Sequence, residues 1–181
     1  MTGVKEAMLA RRSSSRVTDA APTPAELAEF VEAAGQVADH SHLRPWRIIE
    51  IRGDARDRLG DAFAKAEGKK KDAPKQRSKA RRAPLVLAVV VSFKKSKVAR
   101  WEQEAVASGV AHNLSLVLAD EGWGVFWRTG SQTRAKAVNK AHGLGKNEEL
   151  LGWLYVGGMP ERSRVLRPKR RIRVSEHLSA L

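Results

Sequence analysis

Three stretches of this 181-residue chain concentrate side chains that can do chemistry. The first is Arg11-Arg12-Ser13-Ser14-Ser15-Arg16, three guanidiniums and three hydroxyls in six residues. Planar guanidinium forks and short hydroxyls match the oxygens of a phosphate. The plainer reading of the same residues is the solvated end of a short helix over Val4–Arg12, where cations complement the helix dipole. The second stretch is Asp39-His40-Ser41-His42-Leu43-Arg44-Pro45-Trp46. It reads as a loop that touches a ligand. A metal site is disfavoured there, because no third protein ligand is at hand and the spacing matches no zinc pattern. The third is Trp127-Arg128-Thr129-Gly130, a turn that leaves a short apolar strand and whose backbone N–H groups can face a ligand. No triad and no pair of carboxylates stands out, so no side chain is assigned as acid, base or nucleophile. The absence of cysteine excludes disulfides, thiolate nucleophiles and Cys-based metal centres.

The elements that must position these groups are organised around one apolar stretch. From Ala105 to Ala119 there is no Asp, Glu, Lys or Arg. Val106, Val110, Leu114, Val117 and Leu118 recur at helical spacing, with Ala107, Ser108, Ala111 and Ser115 on the other side. Such a helix is buried on most sides, and it is too short and mixed to cross a bilayer. Trp123–Trp127 follows as a strand. Upstream, Thr23 and Glu26 form a capping box with Pro24 in the first turn, starting a helix that runs to about Ala38. Arg47–Arg52 is a strand, Asp54–Glu67 an amphipathic helix, and Pro84–Ser92 a strand buried on both faces. Thr133–His142 is a further helix closed by Gly143 and Gly145, and Leu150–Val156 is a fourth strand.

Length and pattern describe one domain over residues 1–181. The net charge is +14, which favours anionic partners. Nine of the residues from Lys65 to Arg82 are Lys or Arg, without a strong apolar face. That segment reads as a mobile solvated helix or lid, or as a rim that attracts phosphates. A nucleic-acid patch is weaker, since no aromatic is interleaved for base stacking. The first 20 residues lack the apolar run of a signal peptide, which fits a cytoplasmic protein. The basic tail Glu161–Leu181 carries too little apolar payload to fold alone and must lie on its own domain, cross to a partner or stay disordered.

In order, RRSSSR, DHSHLRPW, the WEQE-led apolar helix with GWGVFWRTG, and LLGWLYVGGMP with its PKRR tail resemble the nitroreductase family of FMN-dependent NAD(P)H oxidoreductases, and its small members in particular. The resemblance covers nearly the whole chain. It implies an α+β fold with a mostly antiparallel sheet flanked by helices. It implies a homodimer with FMN at the interface, the central helix in that interface with its small residues outward, and a tail that reaches across the partner. The function implied is hydride transfer from NADPH or NADH through flavin N5 to a nitroaromatic, quinone or similar small-molecule acceptor in a ping-pong cycle. A flavin binder or flavin reductase with little nitro turnover, or a basic nucleic-acid module, is the alternative. Carried over stretch by stretch, Arg11, Arg12 and Ser13 match the FMN phosphate and ribityl contacts. Asp39 and His40 match the loop that reaches FMN from the other subunit. Trp127, Arg128 and Thr129 match the backbone along the flavin edge, and Lys169 and Arg171 the C-terminal phosphate contacts. Gln36 stands where an arginine is common near FMN, Arg44 where glutamine is commoner, and Arg16 lies one residue later than the usual arginine. The Lys65–Arg82 segment is expected to rim the site and attract the 2′-phosphate of NADPH, so that neutralising Lys69, Lys70 and Lys71 raises the KM for NADPH more than for NADH. No membrane association and no metal are expected.

Overall fold

The structure is a computed structural model that describes residues 3–68, 70–161 and 172–181. Lys69, Lys169 and Arg171 therefore lie outside the described residues, as do residues 162–171 of the tail in general.

Four strands form one fully antiparallel sheet in the order β1-β2-β4-β3. They are β1 (Trp46–Ile51), β2 (Leu85–Ser92), β3 (Trp123–Arg128) and β4 (Glu148–Gly158). The continuous Val/Leu run of β2 puts it in the interior, and every one of its residues is buried. Alternation along it divides the core between two faces. Leu85, Leu87 and Val89 pack with Leu27 of α2 (Pro24–Ala34) and with Val110, Leu114 and Leu118 of α5 (Arg100–Asp120). Val86, Ala88 and Val90 face the other way, with Leu59 and Phe63 of α3 (Ala55–Ala66), Ala80 of α4 (Ala73–Ala80) and Val138 of α6 (Lys136–Ala141). The fold is thus a sheet between two helical layers, as the resemblance implies. A shift in register between Val89 and Val90 lets Leu150, Trp153 and Tyr155 of β4 share one face despite their spacing. Trp153 Nε1 donates to the buried His142 at 3.0 Å, which satisfies both groups.

Several expectations need correction. The helix after Thr23 keeps its capping box but ends at Ala34, because Gly35 stops it before Val37 and Ala38. The predicted helix over Thr133–His142 is a 3-10 turn at Ser131–Arg134 followed by the short α6. The central helix is longer than its apolar core: α5 begins at Arg100, where Glu102 caps the Ala99 N–H at 3.1 Å. Gln103 is buried and clamps the preceding loop, accepting from Lys94 N–H and donating to the Lys94 and Val98 carbonyls. These contacts explain the WEQE sequence. The small residues Ala107, Ala111 and Ser115 are buried within the chain and do not form an outer face; close packing selects for small side chains there.

The basic 65–82 segment is no free lid. Residues 73–80 form α4, which docks on α3 with Gln76 and Ala80 buried. The approach is close enough that a Cβ on Gly60 would stand 2.4 Å from Arg77 Cα. Arg77 grips Asp61 through two bonds of 2.6 and 2.9 Å, and Arg81 grips Asp57 through two of 2.5 and 2.6 Å. The two exposed pairs contribute little each, but they account for arginines that an apolar pattern cannot explain.

One polar junction ties three strands together. Glu148 of β4 accepts both arms of Arg47 of β1 at 2.7 Å, the Ser92 hydroxyl of β2 and the Gly145 N–H. The Arg47 bonds, foremost, hold its carboxyl down to about 2, against an ordinary 4.5. Glu148 binds fewer protons folded than unfolded between those values. Its contribution is complete above about 4.5 and lost as pH falls towards about 2. Glu148→Gln is expected to cost about 2 kcal/mol at neutral pH, read from urea unfolding. The gap to the unmodified protein should narrow across that acid window. A gap that does not change with pH would remove Glu148 from this account.

Candidate functional site

The first chemical stretch follows α1 (Val4–Ala10) directly. The chain then lies along the sheet: Ser14 N–H donates to the Val125 carbonyl of β3 at 2.8 Å, and Thr18 N–H to the Gly158 carbonyl of β4 at 2.8 Å. This brings the serine-rich loop against β3, and Ser14, Ser15 and Arg128 border one pocket.

Two hollows open on either side of that loop. The larger, about 250 Å³, lies between α1, the end of α5 and the start of β3, and Arg11, Arg12, Ser14, Asp120 and Trp123 are among its walls. Arg11 faces it without an ion-pair partner among the described residues. Arg12 is differently employed. Its guanidinium turns back on the end of α1 and donates to the carbonyls of Leu9, Ala10 and Arg11 at 2.7, 2.8 and 3.0 Å. The helix-end reading therefore holds for Arg12 in this conformation, while Arg11 remains the cation aimed at the cavity. Ser13 is exposed beside them.

The smaller pocket, about 60 Å³, is bordered by Ser14, Ser15, Arg82, Phe126, Arg128 and Tyr155. Ser14 is a wall of both hollows. Tyr155 is 4% exposed, and its hydroxyl makes no well-formed hydrogen bond among the described residues, although the Arg128 guanidinium is near enough to act on its oxygen. A buried O–H proton without an acceptor costs free energy, so this group is a donor awaiting an acceptor. Burial pushes the phenol above its ordinary value against the pull of Arg128 and Arg82, which keeps the donor proton in place. The Arg128 guanidinium stands 5.4 Å from the centre of the tyrosine ring. Arg82 and Tyr155 escaped the sequence reading. The available signal was that Tyr155 is the sole tyrosine of the chain, set within an apolar strand.

The turn of residues 128–130 is held close to β4 by a missing side chain. Gly152 has φ +150, and a Cβ there would stand 2.4 Å from the Arg128 carbonyl oxygen and 2.8 Å from Trp127 Nε1. The Trp127 side chain faces the α2/α5 layer, not the pocket, and its buried Nε1 has no partner among the described residues.

The second stretch sits elsewhere. Its loop is strained, with Ser41, His42 and Arg44 all at positive φ. Asp39 closes it by accepting the Arg44 N–H at 2.6 Å, and its other oxygen is buried without a partner among the described residues. His40 Nδ1 lies 3.5 Å from Glu102, in the first turn of α5. The Arg11 cavity instead includes Ala119 and Asp120, at the last turn. At 1.5 Å rise per residue the two ends are about 26 Å apart. One chain does not bring His40 to Arg11. Gln36 points away as well: its amide donates back to the Glu32 carbonyl at 3.4 Å. Among the described residues no cluster could hold a metal ion, and no helix is long and apolar enough to cross a membrane.

A sheet between helical layers, with a basic serine loop laid on its edge strand, defines the protein as α+β. The chain belongs to the nitroreductase family, whose model matches residues 8–158. It is 32% identical over 157 residues to YdjA of Escherichia coli K12, provisionally named an NAD(P)H nitroreductase, with 84% of this chain and 86% of that one covered. A crystal structure of a nitroreductase-like family protein from Bacillus cereus superposes with a TM-score of 0.87 at 22% identity, covering 100% of this chain and 97% of that one. NfnB from Sphigopyxis sp. strain HMH, named an FMN- and NADPH-dependent nitroreductase, gives 0.78 at 19% identity over 99% of each chain.

Proposed function

We propose that the protein is a homodimeric FMN-dependent oxidoreductase that draws a hydride from NAD(P)H and passes it to a nitroaromatic, quinone or similar acceptor in two half-reactions. The observation that carries this reading is the paired hollow around Ser14, with a guanidinium that has no ion-pair partner among the described residues on one side and a buried hydroxyl whose proton finds no acceptor on the other. FMN has the matching polarity: a phosphate at one end and a ring edge of carbonyls and ring nitrogens at the other. Arg11, with Ser13 and Ser14 beside it, fits the phosphate; the Tyr155 hydroxyl, Arg82 and Arg128 fit the polar edge. The names of NfnB and YdjA support the same cofactor and donor.

Bound FMN supplies the redox chemistry, accepting and returning a hydride at its ring. This chain supplies grip and charge. Arg11 offsets the phosphate dianion. The Tyr155 hydroxyl would donate to a polar edge of the bound group, and Arg82 and Arg128 would offset negative charge there. The 128–130 turn, whose close approach to β4 Gly152 permits, would line that edge.

The separation of His40 from Arg11 favours a site shared by two chains. If two copies pack α5 against α5 in opposite directions, the loop of one faces the cavity of the other, and the strain in residues 41–44 shapes that reach. Large apolar side chains left exposed at Val4, Leu9, Trp101 and Leu178 favour such a partner surface. Lys169 and Arg171 remain proposed phosphate contacts from outside the described residues.

Anaerobic titration tests the reading. NADPH or NADH should bleach the bound flavin, and a nitroaromatic or quinone added afterwards should restore the colour with turnover. Bleaching followed by recovery only with oxygen or free flavin would replace the nitroreductase reading with that of a flavin reductase. No bleaching by either nucleotide would overturn the oxidoreductase reading.

A further inference from the structure

We propose that a groove between the end of α3 and α6 binds the 2′-phosphate of NADPH and makes this enzyme prefer NADPH to NADH, an inference that rests on the oxidoreductase reading above. The groove has a volume of about 540 Å³ and is lined by Lys65, Ala66, Ala135, Lys136, Ala137 and Lys140. Alanines form its apolar walls and three lysines ring it. Lys136 and Lys140 stand four apart on α6, a spacing at which like charges repel, and Lys65 adds a third charge from the facing helix.

No ion pair among the described residues offsets this repulsion. Among the described residues no carboxylate lies within 4.0 Å of any of the three lysines, although Arg77, Arg81 and Arg134 nearby each hold one. The acid closest in sequence, Glu67, is engaged otherwise. It accepts from Gln76 at 2.6 Å and from Gln132 at 2.8 Å. A phosphomonoester dianion with two or three free oxygens would satisfy three ammonium groups at once. NADH carries no such group at that position; NADPH does.

The position suits the ligand. The 128–130 turn feeds directly into the 3-10 turn at Ser131–Arg134 and then α6. The Gln132–Glu67 bond pins that 3-10 turn to the end of α3. Arg128 to Lys136 is eight residues, at most about 28 Å of chain even if extended, and the intervening turn shortens it. A dinucleotide with its nicotinamide at the turn can therefore lay its adenylate end in the groove, with the apolar walls against adenine.

The test uses the FMN-loaded enzyme and a triple variant, Lys65→Gln, Lys136→Gln and Lys140→Gln, all exposed positions. Calorimetry with 2′,5′-ADP and with 5′-AMP reads binding without turnover. The unmodified enzyme should bind 2′,5′-ADP about tenfold more tightly than 5′-AMP, and the variant should lose that preference. In steady state the KM for NADPH should rise about tenfold in the variant, with kcat and the KM for NADH within about twofold. Unchanged 2′,5′-ADP affinity in the variant, or equal effects on NADPH and NADH, would overturn the proposal. So would a groove that takes inorganic tripolyphosphate as tightly as 2′,5′-ADP, since that marks general attraction of polyanions. A protein that retains no flavin and oxidises neither nucleotide sinks the oxidoreductase reading instead, and the 2′,5′-ADP titration still decides whether the groove selects a 2′-phosphate.

Discussion

Arg11→Gln should weaken FMN binding by about thirty- to a hundred-and-fiftyfold, the loss of one or two charge-assisted bonds to a phosphate worth about 2–3 kcal/mol. Arg11 carries this expectation because it faces the cavity without an ion-pair partner among the described residues. Its neighbour caps three carbonyls at the end of α1, so Arg12→Gln should first loosen the helix and only then affect the ligand. Arg16 is exposed and borders neither hollow; Arg16→Gln should shift affinity less than about twofold, as remote charges screened by solvent do. Fluorescence titration of flavin-free protein with FMN measures all three. Equal losses at Arg11 and Arg16 would mean that overall charge, not a placed guanidinium, attracts the phosphate. An Arg11→Gln protein with unaltered affinity would move the phosphate out of this cavity.

Gly152→Val should be the most damaging single change, with about 3–5 kcal/mol lost from stability. Two independent faults combine. The backbone at +150° is a conformation that a β-branched residue does not tolerate. A side chain would also begin 2.4 Å from the Arg128 carbonyl and 2.8 Å from the Trp127 ring nitrogen, so the end of β3 would have to leave β4. For a domain of this size that is a fall of about 10 °C or more in melting temperature. The turn that carries Arg128 and Thr129 moves with it, so FMN affinity should fall even under conditions where the variant stays folded. Thermal unfolding together with FMN titration below the transition checks both parts. A variant that keeps its melting temperature would show that β3 does not rest on β4 as described. One that is destabilised yet binds FMN normally would detach the turn from the site.

The strands were legible because their signal is local. Pro84–Ser92 has no reading other than a buried strand, and Leu85–Ser92 is one, without an exposed residue. The capping box at Thr23 and Glu26 likewise needs only four residues to declare itself, and Glu26 N–H does donate to the Thr23 hydroxyl at 3.2 Å. The apolar side of α5 was legible, since Val110, Leu114 and Leu118 do pack on β2; the burial of its small residues was not. Ala107, Ala111 and Ser115 carry little hydrophobic payload, yet the distance of closest approach, not hydrophobicity, decides where they go. The same holds for α4. Its buried side is only Gln76 and Ala80, and the room for it is made by Gly60 on another helix, a fact no local pattern contains. At the site, the serine–arginine loop and the 127–129 turn could be found from their own residues. Arg82 and Tyr155 could not, since only the β3–β4 pairing and the approach of the 13–18 loop bring them together. The 39–42 loop could be named from sequence, but its distance from Arg11 along α5 is visible only in three dimensions. That distance is the observation that supports the proposal of a site shared by two chains.

Sedimentation velocity of the protein as purified, followed at the flavin absorbance band, tests the shared-site account most directly. The account predicts a yellow boundary that sediments as a dimer with stoichiometric FMN, and no flavin on any monomer. Colourless protein that takes up no added FMN, or a monomer that carries the flavin by itself, would contradict it.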